Sequence, residues 1–239
     1  MGRLFLVRHA QASFLSADYD QLSELGETQA RLLGEHWARH KLIFNRICVG
    51  PAIRHRRTAQ LVREAYRSKG LPFVEQVIMG EFDEFQGDAV LAQSLPQLLA
   101  QNLQIREWHE AIQRAGSESK KRANFQRVFE AVVSMWANGE ILLQGVESWL
   151  DFCARVNRGL MNFLASSQKA ETVAIFTSGG PIAVVVQQAL HLPKRDTLQI
   201  AWMSRNCAFS EFLFSRDRLT LSSFNSFPHL DEDSLLTYR

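Results

Sequence analysis

The 239-residue chain has little cysteine, little net charge and no long apolar run, and each shortage excludes a class of protein. Its three cysteines (Cys48, Cys153 and Cys207) are odd in number, far apart and without a Cys-x-x-Cys pair. That argues against a disulfide framework or a zinc site and suits a reducing compartment. Cys48 and Cys207 lie in apolar, strand-like runs and read as buried structural thiols. A formal charge of +2 is too small to favour nucleic acid or an anionic membrane, so any attraction for anions must be local. No stretch approaches the ~20 apolar residues of a membrane span. The first apolar run is also too short for a signal peptide. The expectation is a cytoplasmic protein with neither nucleic acid nor membrane as a partner. Internal repeats, low-complexity runs and linkers are missing as well.

With 46% hydrophobic residues, a chain of this length can bury a sizeable core, on the order of 70–75% of its unfolded surface. Leu4-Phe5-Leu6-Val7 reads as a strand buried on both faces. It delivers Arg8-His9-Ala10 to its C-terminal end, where open α/β sheets place ligands. A polar loop from Gln11 to Gln21 precedes a helix capped by Ser23, with Glu24 and Glu27 in its first turn. Ile47-Cys48-Val49 is the centre of a second strand. Gly50-Pro51 then turns into a helix that carries Arg54, Thr58, Leu61 and Val62 on one side. Arg54-His55-Arg56-Arg57 reads as a solvated basic face. A nuclear-import or nucleic-acid patch is the other reading, and near-neutral charge and missing aromatic interleaving weigh against nucleic acid.

Phe73–Met79 is a third strand candidate and empties into the acidic, aromatic loop Gly80-Glu81-Phe82-Asp83-Glu84-Phe85. Residues 88–146 break the alternation with two amphipathic stretches, roughly 90–114 and 121–137. They read as a helical cap inserted in one domain spanning 1–239, with their aromatics in a core. A helix with Trp149, Phe152, Val156, Leu160 and Phe163 inward follows. Thr172–Phe176 is a fourth buried strand, ending in Thr177-Ser178-Gly179-Gly180-Pro181, where paired glycines at a helix start allow close approach to an anion. Cys207–Phe214 and Leu219–Phe224 form an antiparallel pair near a sheet edge. The expected fold is a three-layer α/β/α sandwich with a mostly parallel sheet.

Four strand ends therefore carry Arg8-His9, the Arg54 helix, Glu81 and the Ser178-Gly179-Gly180 turn. Two arginines grip a phosphoryl group with forked donors. Their charge disfavours an imidazolium between them, and the neutral ring keeps a lone pair for phosphorus if its other nitrogen donates to a fixed acceptor. A glutamate with weakened acidity can protonate the departing oxygen. This set describes phosphoryl transfer through a phosphohistidine, with no metal or other cofactor required.

The same residues resemble the histidine phosphatase superfamily, also called phosphoglycerate mutase-like. Arg8-His9-Ala10 stands where that family has Arg-His-Gly. Leu22-Ser23-Glu24-Leu25-Gly26-Glu27-Thr28-Gln29-Ala30 is similar to its first helix start, and Pro51-Ala52-Ile53-Arg54 with Thr58-Ala59 to its second arginine helix. Glu147-Ser148, before a helix containing Arg155-Val156, fits the segment after the cap. The resemblance implies His9 as nucleophile, Glu81 as proton donor with Glu84 as rival, and Arg8, Arg54, Ser178, Gly179 and Gln11 as binders of a small phosphorylated substrate. The family's acid loop commonly has a different spacing of glycine after its glutamate. The family also usually has a second histidine after its fourth strand, where this chain has Ser178. Replacing it by a neutral hydroxyl implies a loss of about 10²–10³ in rate, and Ser178→His is expected to raise turnover. A phosphomonoesterase is the reading preferred. A phosphate-binding pseudoenzyme is the alternative that Ser178 motivates. A mutase ranks lower, because the cap and acid loop do not resemble those of glycolytic mutases. The sequence assigns neither a substrate nor an oligomeric state.

Overall fold

A computed structural model describes residues 1–13, 20–193 and 196–238; the middle of the loop expected between Gln11 and Gln21 lies outside them. The chain falls into two compact units, residues 1–84 with 155–239, and residues 85–154.

The first unit is built on a six-stranded sheet of β1 (Gly2–Arg8), β2 (Arg46–Val49), β3 (Gln76–Ile78), β4 (Thr172–Thr177), β5 (Phe209–Phe214) and β6 (Leu219–Ser226), in the order β3-β2-β4-β1-β5-β6. The first four neighbours run parallel, and β5 and β6 add an antiparallel edge. Helices flank it, so the fold is the α/β class expected. Leu4, Phe5, Leu6 and Val7 are at most 2% exposed, and full burial of each such side chain is worth about 1.5–3 kcal/mol. That burial puts β1 in mid-sheet, between β4 and β5, and brings Arg8 level with Thr177 at the C-terminal rim. Phe5 anchors an aromatic cluster with Trp37, Phe44 and Phe209, ring centroids 5.7–5.9 Å away.

α1 (Glu24–Arg39) starts where its cap predicts, with Ser23 accepting a hydrogen bond from Gly26 N–H. It packs against α2 (Ile53–Ser68), which has no cap of its own at Ala52. The carboxylate of Asp20, distant in sequence, takes that place by accepting from Ile53 N–H at 2.8 Å. The third strand is shorter than expected. Only Gln76–Ile78 pairs, at the sheet edge, and Val77 and Ile78 stay exposed, so apolar content alone did not buy them burial. Cys48 and Cys207 are buried as anticipated; burial pushes the Cys48 thiol up to about 11 and raises that of Cys207 further. Both are therefore unreactive thiols at neutral pH.

The second unit holds α3 (Gly87–Gln101), α4 (Leu103–Gln113) and α5 (Glu118–Ala137), and α6 (Trp149–Ser166) begins within it. The first long amphipathic stretch is thus two helices. Asn102 divides them, because its side chain accepts from Ile105 N–H and starts a new helix. Phe129 and Trp136 are buried, and Phe85 packs on Trp136 and Phe152 at 5.5 and 5.6 Å, whereas Trp108 and Phe125 are only half-buried, so two of the four aromatics expected in a core are there. The described residues of the first unit also include α7 (Gly179–Leu190) and α8 (Thr197–Met203), the latter without a forecast in the sequence. Among the described residues no helix is long and apolar enough to cross a membrane.

Candidate active site

Every backbone group around His9 is fixed. Its N–H donates to Thr177 O at 2.8 Å, and its carbonyl accepts from Cys207 N–H and the Asn206 side chain. The next peptide is held too, because Ala10 N–H donates to the Thr58 hydroxyl (3.1 Å), which itself donates to Arg54 O (2.7 Å). Thr58 thereby ties the residue after His9 to the helix that carries Arg54. The His9 ring is 4% exposed, with Nδ1 2.8 Å from Ala10 O. A carbonyl only accepts, so Nδ1 carries the proton and Nε2 keeps its lone pair. Burial, then the charges of Arg54 and Arg8 and the nearby His55, hold the imidazolium well below its ordinary pKa. The ring is neutral at neutral pH.

Arg8 reaches back to the Ser204 carbonyl, and Arg54 pairs with Asp20 (Nη1 to Oδ1, 2.7 Å). The anion at the α2 N-terminus is therefore this chain's own Asp20, which touches both the helix amides and the second guanidinium. Gly179 lies beside Arg8, since a Cβ there would sit 3.8 Å from Nε. Ser178 is 1% exposed, and its Oγ is 2.7 Å from Nε2 of His55.

His55 corrects the reading of residues 54–57 as a solvated basic face. It is 0% exposed, and its ring centroid is 5.6 Å from that of His9. Burial first, and Arg54 next, push its pKa well below the ordinary value. A signal for this was present in the sequence: His55, Ala59, Val62 and Tyr66 repeat at helical spacing and are all buried, so His55 belongs to the inward stripe of α2. Gly50 makes room for it, because a Cβ at that position would lie 2.3 Å from Nδ1 of His55.

The acid loop is also sorted by the structure. A short 3-10 turn, Gly80–Phe82, follows β3. Arg155 clamps it by donating to the carbonyls of Gly80, Glu81 and Asp83 at 2.9–3.3 Å, and Thr177 donates to Phe82 O. Glu84, beyond the turn, accepts from Gly180 N–H at 3.1 Å and so stands on the Ser178-Gly179-Gly180 turn. Glu81 has its Cβ and Cγ against Gly159 of α6 instead. The turn reverses the chain, so that Glu84, the later residue, is the one whose carboxylate reaches the glycines. Asp83 is a further carboxyl that the sequence reading passed over; burial raises its pKa, against the opposing charges of Arg54 and Arg155.

Arg8, His9, Arg54, Ser178 and Gly179 thus come together. Gln11 is tied to the start of α1, where its Oε1 accepts from Ser23 and its N–H donates to Gln29. His229, at the end of the chain, is stacked on Phe209 and buried, remote in role from this cup. What the gathered residues offer is a buried ring with one unprotonated nitrogen, two guanidinium groups whose charge it feels, and a carboxylate standing on the Ser178 turn.

Comparisons with known proteins bear on the family and on the fold. The family profile of the histidine phosphatase superfamily (branch 1) matches residues 4–111 and 97–226. No curated protein sequence matches the chain significantly. Among solved structures, a phosphoserine phosphatase mutant from Entamoeba histolytica in complex with phosphoserine superposes with a TM-score of 0.63 at 16% identity, covering 96% of this chain and all of that one. The alpha-ribazole phosphatase from Shigella flexneri gives 0.61 at 17% identity, over 94% and 96% of the two chains. A mycobacterial glucosyl-3-phosphoglycerate phosphatase complexed with VO3 gives 0.61 at 20%, over 95% and 100%. At these identities the likeness is one of fold.

Proposed function

The chain belongs to the histidine phosphatase superfamily, and from that premise we propose that it is a phosphomonoesterase working through a phosphohistidine on a small phosphorylated metabolite. The observation that carries this is the His9 ring, buried within reach of the charges of Arg54 and Arg8 and held neutral with Nδ1 on the Ala10 carbonyl. In the first step Nε2 of His9 attacks phosphorus while Arg8 and Arg54 hold non-bridging oxygens. The N–P bond forms, the ester P–O bond breaks, and a carboxyl delivers a proton to the departing alkoxide. In the second step water attacks phosphorus, the N–P bond breaks and the carboxylate takes the water's proton, releasing inorganic phosphate. We assign the proton transfers to Glu84, because its carboxylate stands on the Ser178 turn. Substrate positioning falls to Arg8, Arg54, Ser178 and Gly179. The route draws on no metal. Within a single domain of 1–239, the helical segment 88–146 is assigned to leaving-group choice, and the buried thiols of Cys48 and Cys207 suit a cytoplasmic setting.

The test is hydrolysis of 4-nitrophenyl phosphate and of glycerol phosphate, with protein quenched and kept in alkali, where a P–N bond survives, examined by mass spectrometry. His9→Ala should abolish both activities and the adduct of about 80 Da that a phosphoryl group adds. Glu84→Gln should slow the alkyl ester by about 10²–10⁴ and the aryl ester far less, since nitrophenolate leaves without a proton; Glu81→Gln should leave both nearly unchanged. A wild-type protein that binds vanadate yet turns over neither ester, as His9→Ala also does, would establish a binder in place of an enzyme.

A further inference from the structure

Ser178 is placed as the N-cap of α7, yet its side chain makes no capping hydrogen bond. A serine there ordinarily accepts from a first-turn N–H. Here Glu84 accepts from Gly180 N–H, and the Ser178 hydroxyl points instead at Nε2 of His55, 2.7 Å away. Both partners are closed off from water, at 1% and 0% exposure. The pair lies beside the nucleophile, with the His55 and His9 rings 5.6 Å apart and the Thr177 carbonyl, one residue before Ser178, accepting from His9 N–H. The recess is shaped for this ring, because any side chain at position 50 would collide with Nδ1.

We propose that His55, acting through the Ser178 hydroxyl, supplies from α2 the second imidazole of the phosphoryl cup, as a positioning residue for the reaction proposed above. An O–H···N contact of 2.7 Å leaves the hydroxyl and the ring with one proton between them and one to spare. With the ring proton on Nε2, His55 donates to Oγ, and the hydroxyl proton is left to point out of the pair and into the cup. There it meets a non-bridging phosphoryl oxygen. The Gly50 carbonyl competes for the ring proton at Nδ1, but no hydrogen bond of ordinary geometry forms there, whereas the contact at Nε2 is short and buried. The hydroxyl is thereby fixed in rotation before substrate arrives, which is the preorganisation that makes a single donor effective in a dry site.

This arrangement reverses one expectation from the sequence. Ser178→His alone should lower turnover, because a second ring cannot enter a buried position already in contact with His55.

The experiment is a relocation of the imidazole, read as kcat/KM for 4-nitrophenyl phosphate and, independently, as affinity for vanadate. It rests on the phosphatase reading for the first readout only. His55→Ala and Ser178→Ala should each lower both quantities, kcat/KM by about 10²-fold, with kcat falling more than KM rises. Ser178→His in the His55→Ala background should recover at least about tenfold, a substantial part of the effect of one such donor. Ser178→Phe in that background fills the same space without a ring nitrogen and should recover nothing. Equal recovery by Phe and His would overturn the proposal and leave His55 a packing residue, as would unchanged kinetics and affinity in a folded Ser178→Ala protein. If no variant, wild type included, hydrolyses phosphate esters while vanadate affinity follows the predicted order, the phosphatase reading fails and the role of the pair stands.

Discussion

Removing the hydroxyl of Thr58 tests whether the site is held together as the hydrogen bonds imply. Thr58 is 0% exposed, accepts from Ala10 N–H at 3.1 Å and donates to Arg54 O at 2.7 Å. Thr58→Val keeps the shape, so no cavity opens. The Arg54 carbonyl remains in the helical ladder, but Ala10 N–H, beside a 0% exposed Ala10, loses its acceptor. A buried N–H without a partner costs about 1–3 kcal/mol. Thr58→Ser keeps both hydrogen bonds and removes one methyl, costing about 1 kcal/mol. Stability should therefore fall in the order wild type, Ser, Val, as measured by urea unfolding at pH 7.5. A residue that only packs would give the opposite order, since Val fills the space better than Ser. Activity separates the two variants further. The Ala10 peptide sets the acceptor for Nδ1 of His9, and a nucleophile displaced by about 1 Å can lose about 10² in rate, so Thr58→Val should lower kcat by that factor while Thr58→Ser stays within a few-fold. A Val variant as stable and as active as the Ser variant would refute the account of how the nucleophile is fixed.

Two other outcomes follow from the buried imidazoles. His229 has neither ring nitrogen in a hydrogen bond, although the Cys207 carbonyl lies close enough to favour a proton there. Its pKa is lowered from 6.5 to about 3, chiefly by burial. A base with a depressed folded pKa gives the protein stability that is complete above 6.5 and lost as pH falls toward 3. At pH 5 the loss is about 2 kcal/mol, at about 1.4 kcal/mol per pH unit. His229→Phe should therefore be more stabilising at pH 5 than at pH 7.5 by that amount in urea titrations; an equal effect at both pH values would count against a neutral buried ring. For the site, ¹⁵N NMR of the imidazoles at a pH about one unit below the ordinary histidine pKa should find His9 neutral with its proton on Nδ1, and an imidazolium signal for His9 would remove the basis for nucleophilic attack.

How much of this was legible in the chain depends on whether a residue's environment is set locally. β1 and β4 could be read because a strand buried on both faces must be apolar throughout, and Leu4–Val7 and Val173–Phe176 are. The segment 73–79 looked similar, but burial needs neighbours on both faces, and an edge strand paired with β2 alone lacks them. His9 and Arg8 were legible because a strand fixes which end faces the ligand. Glu81 and Glu84 were not separable, because a 3-10 turn and three hydrogen bonds from Arg155, more than seventy residues later in the chain, decide which carboxyl returns to the glycines. His55 fails for a different reason. Its stripe of Ala59, Val62 and Tyr66 announces burial, but its immediate neighbours are arginines, whose charge points the same stretch of sequence toward water. A helix turns each residue by about 100°, so Arg54 and Arg56 can face an anion or water while the ring between them faces inward. The absence of a histidine after β4 therefore says little by itself about the cup. The group that matters is whichever side chain the neighbouring helix projects at Ser178, and only the packing of α2 against the sheet decides that.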